Sequence, residues 1–506
     1  MIKLDRMIEN ILFSILILFF VSHIALADDP TISEDTELCL ECHATINPGI
    51  VSDWKKSRHA LITPAQALKK SGIDSILSGK KIPEALMENV VGCAECHTMN
   101  PEKHADNVEH SGYEIHPIVT PDDCALCHQS EVNQFQNNLM SHAYGNLQNN
   151  HLYRSLVNAV NGVQSYKDNQ IHQKASDPET DADSCLYCHG TMIQVTSMQS
   201  RETDHGDMTF PILSGWPNQG VGRINPDGTK GSCSVCHTRH QFSIAMARDP
   251  YTCAECHNGP DVPAYNVYKV SKHGNIHQSL GKDWDLKAVP WTLGRDFTAP
   301  TCAACHISLI VSTEGDVITQ RTHQMNDRLP WRIFGLIYAH AHPKSPDTAS
   351  IKNREGLPLP TELTGEPVND FLIDQKEQEK RQSKLEKICL SCHSLGWVKG
   401  HFTRFKKGIE TTNVMTRTAT DILVRAWGLG AAKGPAQKDD IFNEFIEKKW
   451  VEQWLFYANS TRFASAMAGA DYGVFANGRW YMSKNIREML DWLEFKSNGV
   501  LPITDQ

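Results

Sequence analysis

Three shortages in the sequence narrow what this chain can be. Basic residues are not in excess, because 49 Lys and Arg stand against 59 Asp and Glu, which gives a formal net charge of −10. Such a chain cannot neutralise a phosphate backbone, so no nucleic-acid partner is expected. Only one long apolar run is present, which excludes a multi-span membrane protein. Hydrophobic residues at 40% and charged residues at 21% exclude a disordered or collagen-like chain.

The single apolar run lies at the start of the chain. Lys3 and Arg6 precede a run from Ile11 to Leu26, which closes on the small-residue sequence Ala25-Leu26-Ala27. A retained membrane anchor is the alternative, but 16 residues are fewer than the about 20 that span a bilayer. We therefore expect residues 1–27 to be a cleaved signal peptide, and the mature protein to be soluble and exported to a periplasm or an equivalent lumen.

Cysteine is abundant, and every cysteine belongs to a copy of the same short motif. Eight Cys-x-x-Cys-His motifs of two cysteines each account for all 16 cysteines. We number them motif 1 to motif 8 in chain order: Cys39/Cys42/His43, Cys93/Cys96/His97, Cys124/Cys127/His128, Cys185/Cys188/His189, Cys233/Cys236/His237, Cys253/Cys256/His257, Cys302/Cys305/His306 and Cys389/Cys392/His393. This is the attachment sequence of c-type haem, in which both thiols bond the haem and the histidine ligates the iron.

Zinc ribbons and a disulfide framework are the rival interpretations of this cysteine pattern. Zinc sites do not require a histidine after every second cysteine, and disulfides do not require a constant gap of two residues. The sequence therefore predicts eight covalently bound c-type haems.

Histidines outside the motifs could supply the second axial ligand that a six-coordinate haem needs. His240 follows His237 by three residues, a spacing that would turn its imidazole toward a neighbouring haem. The other distal candidates are His59, His110, His142, His273 and His323. Each could equally be a surface or hydrogen-bonded histidine. Spacing does not separate them from their competitors, which are His104, His116, His151, His172, His205, His277, His340, His342 and His401.

The organisation of the chain predicts a mainly α multihaem cytochrome c fold. Residues 28–340 carry seven motifs and are expected to form a haem-rich domain of short helices and long loops with little sheet. Residues 341–372, rich in Pro, Gly and Thr, are predicted to be an extended linker or surface arm. Residues 373–506 are predicted to form a C-terminal bundle of long helices with motif 8. Its apolar stripes recur every three or four residues, as at Phe442, Ile446 and Trp450.

The chain resembles the octahaem hydroxylamine oxidoreductases, which include hydrazine dehydrogenases and reductive relatives. The resemblance covers essentially the whole mature chain and follows the order of the motifs. Matching segments run from Trp216 to Gly228, from Cys236 to His240, from Ser271 to Gly274 and from Ala299 to His306. Trp454–Asn459 and Asp471–Gly478 resemble the forms found in anaerobic ammonium oxidisers. For such a form the exported compartment would be the anammoxosome lumen.

The resemblance also implies which residues do the chemistry. In the family seven haems have two histidine ligands, and the fourth lacks a protein distal ligand and is catalytic. Carried over, the catalytic haem would be held by Cys185 and Cys188 with His189 proximal, and Asp261 would be the distal carboxylate. Tyr472 matches a tyrosine that oxidative members cross-link to the catalytic haem of a neighbouring subunit in a homotrimer. This chain departs from the aerobic pattern at Val262, where that pattern has histidine, so the proton relay and the product are in question.

The leading hypothesis for function is oxidation of a small nitrogenous substrate, hydroxylamine, to nitric oxide. This removes three electrons, which one iron cannot store but neighbouring haems can accept, and a carboxylate such as Asp261 can take the released protons. Hydrazine oxidation and nitrite reduction are alternatives of the same class. A non-enzymatic electron conduit with eight six-coordinate haems is the alternative of another class. The expected electron acceptor is a small soluble cytochrome c, basic or neutral because this chain is acidic.

Overall fold

The computed structural model describes residues 30–204 and 206–498, so the predicted signal peptide, residues 1–27, lies outside the described residues. We number the α-helices α1 to α20 in chain order. They are Glu34–Ile46, Pro48–Lys56, Arg58–Leu61, Pro64–Leu68, Cys93–His97, Pro121–Gln136, Ala143–Gln148, His151–Asn161, Pro178–Asp183, Cys185–His189, Ile244–Arg248, Pro250–Ala254, Ala264–Val270, Lys272–Leu280, Cys302–His306, Gln375–Leu390, Leu395–Gly428, Phe445–Val451, Ala458–Met467 and Arg479–Asn498.

Three of the predicted haem-attachment motifs are themselves short helices. Cys93–His97 (α5), Cys185–His189 (α10) and Cys302–His306 (α15) are five-residue helices that contain nothing but the motif. Positions i, i+3 and i+4 share one helix face, so a single turn presents both thiols and the imidazole to the same side. The local geometry of these three sites is therefore encoded within five residues.

Strands are short and occur in five small sheets among the described residues. They are β1 Val108–His110, β2 Tyr113–Ile115, β3 Val163–Lys167, β4 Gln170–Lys174, β5 Gln194–Thr203, β6 Gly206–Ser214, β7 Trp291–Thr292, β8 Ile310–Val311, β9 Val317–Thr319, β10 Trp331–Arg332 and β11 His340–Ala341. The pairs β1–β2, β3–β4, β5–β6 and β10–β11 are antiparallel, and β7–β8–β9 is the one three-stranded sheet of the described chain. The hairpins β3–β4 and β5–β6 stand on either side of motif 4 in the sequence.

The C-terminal part is built on α17, a helix of 34 residues. Its buried face packs on α18, α19 and α20, and the largest apolar core of the chain lies there, around Trp450, Trp454 and Leu423. Residues Glu452–Tyr457 form a π-helical segment that joins α18 to α19. The predicted stripe of Phe442, Ile446 and Trp450 lies in this core.

Residues 341–372 contain little regular structure, but they do not project from the surface. Ile351, Leu359 and Leu372 are buried, and Leu359 belongs to the core of the C-terminal helices. Although residues 341–372 are rich in Pro, Gly and Thr and largely extended, they thus add apolar side chains to the core of the C-terminal helices. The prediction of a mainly α multihaem cytochrome c fold is confirmed. Within the described residues, no helix combines the length and the apolar character needed to cross a bilayer.

Candidate functional site

The proximal histidines are oriented by hydrogen bonds from their Nδ1 atoms. Nδ1 of His43 lies 2.9 Å from Oδ1 of Asn47, and Nδ1 of His97 lies 2.8 Å from the carbonyl oxygen of His116. Nδ1 of His189 lies 3.3 Å from the carbonyl oxygen of Ala143. Each bond fixes the ring and leaves Nε2 free to bind a metal.

Four proximal histidines face a second imidazole at one common separation. The ring centroids are 6.1 Å apart for His43 and His110, 6.3 Å for His128 and His59, 6.4 Å for His237 and His323, and 6.0 Å for His393 and His273. Two imidazoles on opposite sides of one iron, each bound at about 2 Å, need a separation of about 6 Å. The residues present therefore fit haem iron held between two histidines.

Burial holds these facing imidazoles in the neutral form that binds metal. It lowers the pKa of His59 to about 4, and His128 lowers it further. It also lowers the pKa of His237 to about 3, with a second contribution from His323. Neutral imidazole is the ligand form of histidine, so these pairs are prepared for iron at neutral pH.

His116 and His240 both lie near His97, and only one of them can lie on the side of the ring where Nε2 would bind iron. The ring of His116 is 6.1 Å away, but the backbone carbonyl of His116 accepts the hydrogen bond from Nδ1 of His97. His116 therefore lies behind His97, away from Nε2. His240, a sequence candidate for distal ligation of a neighbouring haem, is within electrostatic range of His97 and remains a predicted distal ligand.

The remaining distal positions are less regular. His142 is half buried, and its two nitrogens contact the Gln136 carbonyl at 3.1 Å and Lys230 Nζ at 3.5 Å, so it faces no proximal histidine. His342, which the sequence did not single out, is buried within electrostatic range of His306. Among the described residues, no imidazole ring stands at the 6 Å separation from His189, His257 or His306.

The fold brings cysteines of different motifs into contact. The Cys124 thiol (motif 3) lies close enough to Cys233 (motif 5) for its pKa to be raised, as do the Cys256 thiol (motif 6) to Cys188 (motif 4) and the Cys253 thiol (motif 6) to Cys302 (motif 7). Looser electrostatic contacts join motif 1 to 2, 2 to 3, 5 to 6 and 7 to 8, through Cys39–Cys93, Cys96–Cys127, Cys236–Cys253 and Cys305–Cys389. The motifs thus form a continuous row 1-2-3-5-6-7-8, and motif 4 branches from motif 6.

Two of the predicted haem-binding cysteines, Cys42 and Cys392, are exposed, whereas the other cysteines of the motifs are partly buried. The sequence pattern predicts one role for every cysteine and does not distinguish exposed from partly buried thiols. The reason for the exposure of Cys42 and Cys392 is their place in the row, because they belong to motifs 1 and 8, which each adjoin a single other motif. Cys39 and Cys389 face that neighbour, which leaves the second cysteine of each end motif toward solvent. Haem attachment at Cys42 and Cys392 stays a prediction.

Asp261 lies at the branch between motifs 4 and 6. Its carboxylate is within electrostatic range of both His189 and His257, the proximal histidines of these two motifs. Its side chain is exposed, so it can exchange protons with water. The Asn459 side chain donates to the Asp261 carbonyl oxygen at 2.8 Å, which fixes the loop that carries the carboxylate. The structure therefore brings Asp261 and His189 together.

Two further groups lie near this site and were not predicted from the sequence. The Arg332 guanidinium is within electrostatic range of His189 and of the buried His340 and His342. Arg462, fully buried, donates to Asn459 Oδ1 at 3.2 Å and to Asn413 Oδ1 at 2.8 Å. Neither arginine stands in a recognisable motif, so only the tertiary structure could reveal them.

Tyr472 lies in a short 3₁₀ turn, Ala470–Gly473. Its side chain is half buried against an apolar cluster that includes Val267, Phe463 and Val262, the residue after Asp261. Its carbonyl accepts a hydrogen bond from Ser460 Oγ at 2.9 Å. Within one chain, Tyr472 and the loop that carries Asp261 thus border the same apolar cluster.

His104, His116 and Asp123 form a buried polar cluster behind motif 2. His104 and His116 stack with centroids 3.5 Å apart and planes 9° from parallel, and Nε2 of His104 lies 3.4 Å from Asp123. Lone pairs of imidazole lie in the ring plane, so two parallel stacked rings direct them side by side and not onto one ion. Asp123 instead accepts hydrogen bonds from Asn100 and the Thr120 amide. The cluster is a hydrogen-bonded support for the loops around His97.

Two protein-family models match the chain. Residues 222–330 match a family described as "Seven times multi-haem cytochrome CxxCH", and residues 123–208 match "Cytochrome c554 and c-prime". A curated protein of Kuenenia stuttgartiensis, "Probable nitrite reductase-hydroxylamine oxidoreductase fusion protein", is 24% identical over 366 residues. That match covers 70% of this chain and only 34% of the relative, so the chain spans about a third of the relative's length.

Two solved structures share the fold. A "Hypothetical multiheme protein" is 40% identical with a TM-score of 0.86, and the match covers 94% of this chain and 98% of that one. A reducing HAO-like protein complex of Kuenenia stuttgartiensis is 17% identical with a TM-score of 0.60, and the match covers 92% of this chain and 86% of that one. The second likeness concerns the fold alone.

Proposed function

Because the chain belongs to the multihaem c-type cytochromes and is similar to hydroxylamine-oxidoreductase-like proteins, we propose that it is an oxidoreductase that oxidises hydroxylamine to nitric oxide at motif 4. The observation that carries the proposal is the position of Asp261 beside His189, at the point where motif 4 joins the row of motifs. When bound, the haem of motif 4 would supply an iron with a free coordination position, and the other seven would take up electrons.

The chain's own residues have defined tasks in this proposal. Oxidation of hydroxylamine to nitric oxide releases three electrons and three protons. The exposed Asp261 carboxylate accepts a proton from the substrate and passes it to water. His189, held by the Ala143 carbonyl, presents Nε2 to the iron. The nearby positive charge of Arg332 favours substrate forms that carry negative charge.

Reduction of nitrite is the second candidate. It is favoured by Val262, which replaces the histidine of the aerobic pattern, and by the Arg332 cation, which would attract an anion such as nitrite. Hydrazine oxidation would use the same residues as hydroxylamine oxidation. An electron conduit without catalysis is the remaining alternative, and it requires that no iron has a free position.

The proposal extends to assembly, partner and location. Val474, Phe475 and Trp480 expose 44%, 63% and 58% of their surface beside Tyr472, and exposed apolar patches mark interaction surfaces. This patch supports a homotrimer in which Tyr472 is cross-linked to the catalytic haem of a neighbouring subunit. The electron acceptor in the proposal is a small basic or neutral cytochrome c, and the compartment is an exported lumen such as a periplasm or anammoxosome.

Steady-state assays of the Asp261→Asn variant test the proposed reaction. Loss of the proton acceptor should lower kcat for hydroxylamine about 10²- to 10⁴-fold, because general base catalysis contributes that much, and should leave the haem content unchanged. Asp316→Asn, at an exposed hairpin turn, is the matched control and should keep wild-type activity. Equal activity of Asp261→Asn and wild type would contradict the assigned role. Wild-type turnover of hydrazine or nitrite, but not of hydroxylamine, would move the proposal to that substrate.

A further inference from the structure

Four arginine side chains in the described part of the chain are buried without a carboxylate partner. They are Arg223, Arg248, Arg328 and Arg462, with exposed fractions of 3%, 6%, 1% and 0%. None of them forms an ion pair with the described residues, whereas Arg354 and Arg487, which are ion-paired, have exposed side chains. A buried charge is costly unless it is paired, so four such cations need a reason.

Arg328 indicates a reason, because two of its four hydrogen bonds go to carbonyls inside one attachment site. Its Nη1 donates to the carbonyls of Ala304 and Cys305 at 3.1 and 3.2 Å, both inside motif 7. Its Nη2 donates to the carbonyls of Ser308 and Gln320 at 3.0 and 2.5 Å. The guanidinium therefore lies against the helix turn that carries His306, the proximal histidine of motif 7.

No carboxylate of the described residues forms an ion pair with Arg328. Asp327 is the acidic residue within electrostatic range, and its Oδ1 lies 2.5 Å from Nζ of Lys384. The Cys305 thiol is neutral once it is bonded to haem. Burial, and after it the positive charge of Arg328, lowers the pKa of His306 to about 4. The field of Arg328 thus reaches the imidazole that binds the iron of motif 7.

We propose that Arg328 is the residue that raises the reduction potential of the haem on motif 7. Reduction adds one electron and lowers the net charge of the haem by one, so a fixed buried cation stabilises the reduced form. Arginine suits this task because its charge is permanent and its planar fork satisfies four carbonyls at once. The inference depends on haem attachment at motif 7, and it holds for any of the substrates considered above.

The alternative is a purely structural role, in which Arg328 only ties down carbonyl groups at the end of the motif helix. The two roles differ in what they require. A structural role requires the several N–H donors of the guanidinium group, whereas an electrostatic effect requires only its positive charge. Substitutions that separate charge from donor geometry therefore distinguish them.

A redox titration of the purified haem-loaded protein, followed by visible absorption, makes this distinction. Arg328→Met removes the positive charge and keeps a side chain of similar size. In this variant the reduction potential of one haem, seen as one component of the titration curve, should shift to a lower value. The expected shift is at least tenfold in the ratio of reduced to oxidised haem, or about 59 mV for a one-electron couple. Arg328→Lys should leave that component near its wild-type position. Arg354→Met removes an exposed arginine and should shift nothing.

Two results of this titration would overturn the proposal. One is an Arg328→Met protein whose components all match the wild type. The other is an Arg328→Lys protein shifted as far as Arg328→Met, which would indicate the structural role. If Arg328→Met does not accumulate with a full set of haems, Asp327→Asn replaces it, because Asp327 is partly exposed and lies outside the carbonyl contacts. Asp327→Asn should shift one component to higher potential, and an unchanged titration would refute the electrostatic role.

Discussion

Tyr472 is the single residue on which oxidation and assembly both depend in this account. It lies in a turn between α19 and α20, next to small residues such as Ala468, Gly469 and Gly473, whose size allows close approach of a flat macrocycle. Covalent attachment would distort the porphyrin, and distortion is one way in which proteins tune haem. It packs against the same apolar cluster as Val262, the residue that follows the proposed proton acceptor Asp261. The residue therefore connects the C-terminal helices with the proposed active site.

Replacing Tyr472 by Phe should remove the cross-link while keeping the aromatic packing. On a denaturing gel, wild type should run partly as a covalent oligomer and Tyr472→Phe only as monomer, with hydroxylamine oxidation lost. Tyr481→Phe is the matched control, because Tyr481 is a partly exposed tyrosine stacked on Tyr457 with centroids 5.4 Å apart. A fully active Tyr472→Phe, together with a wild type that runs only as monomer, would favour the reductive alternative.

At the scale of elements, close packing between α17 and α19 holds the C-terminal helices together. Gly408 of α17 faces Ser465 of α19, and a Cβ at Gly408 would lie 2.6 Å from Ser465 Oγ and 3.0 Å from its Cβ. The Arg462 side chain joins the same two helices through Thr412 and Asn413. This pair of helices fixes Asn459 and, through it, the loop that carries Asp261.

Gly408→Ala should destabilise the protein by about 1–3 kcal/mol, because an added methyl group in a filled contact forces the helices apart. Gly428→Ala, at the end of the same helix with no atom within 4 Å of the added Cβ, should stabilise it by about 0.5–1 kcal/mol. Denaturant unfolding followed by circular dichroism measures both. Equal stability of the two variants would show that the α17–α19 contact is looser than the structure indicates.

Secondary-structure elements could be predicted from the sequence wherever residues close together in the chain determine them. Several of the Cys-x-x-Cys-His motifs are a turn of helix in themselves, and the apolar stripe through Ile446 and Trp450 marks a helix face. The partners of the proximal histidines are not local, since His273 faces His393 although 119 residues separate them in the sequence. The sequence also could not separate His116, which lies behind His97, from a distal ligand. Buried arginines such as Arg328 leave no periodic signal at all.

The exposure of individual thiols is likewise set by tertiary position and not by the motif. Cys42 and Cys392 have the same local sequence pattern as the partly buried cysteines, yet both are exposed. Their motifs are the first and the last in the sequence and also the two ends of the row in the folded chain. The motif itself carries no information about which of its thiols is exposed.

The whole molecule is a row of seven motifs with motif 4 as a branch at motif 6. Cysteines of successive members touch or lie within electrostatic range, as Cys188 and Cys256 do at the branch. Such an arrangement would let electrons pass from a reaction at motif 4 toward either end of the row. The central claim, which the resemblance to the octahaem family supplies, is that one haem is open to ligands while the other seven are closed by a second histidine. The structure provides the facing imidazole for four of these seven, at motifs 1, 3, 5 and 8.

The binding of carbon monoxide to the fully reduced protein tests this claim most directly. The account predicts eight covalent haems by intact mass and one carbon monoxide bound per chain. His59→Ala should raise the count to two, because His59 faces His128, and His142→Ala should leave it at one, because His142 faces no proximal histidine. A wild-type protein with eight haems that binds no carbon monoxide would contradict the account and identify the chain as an electron conduit.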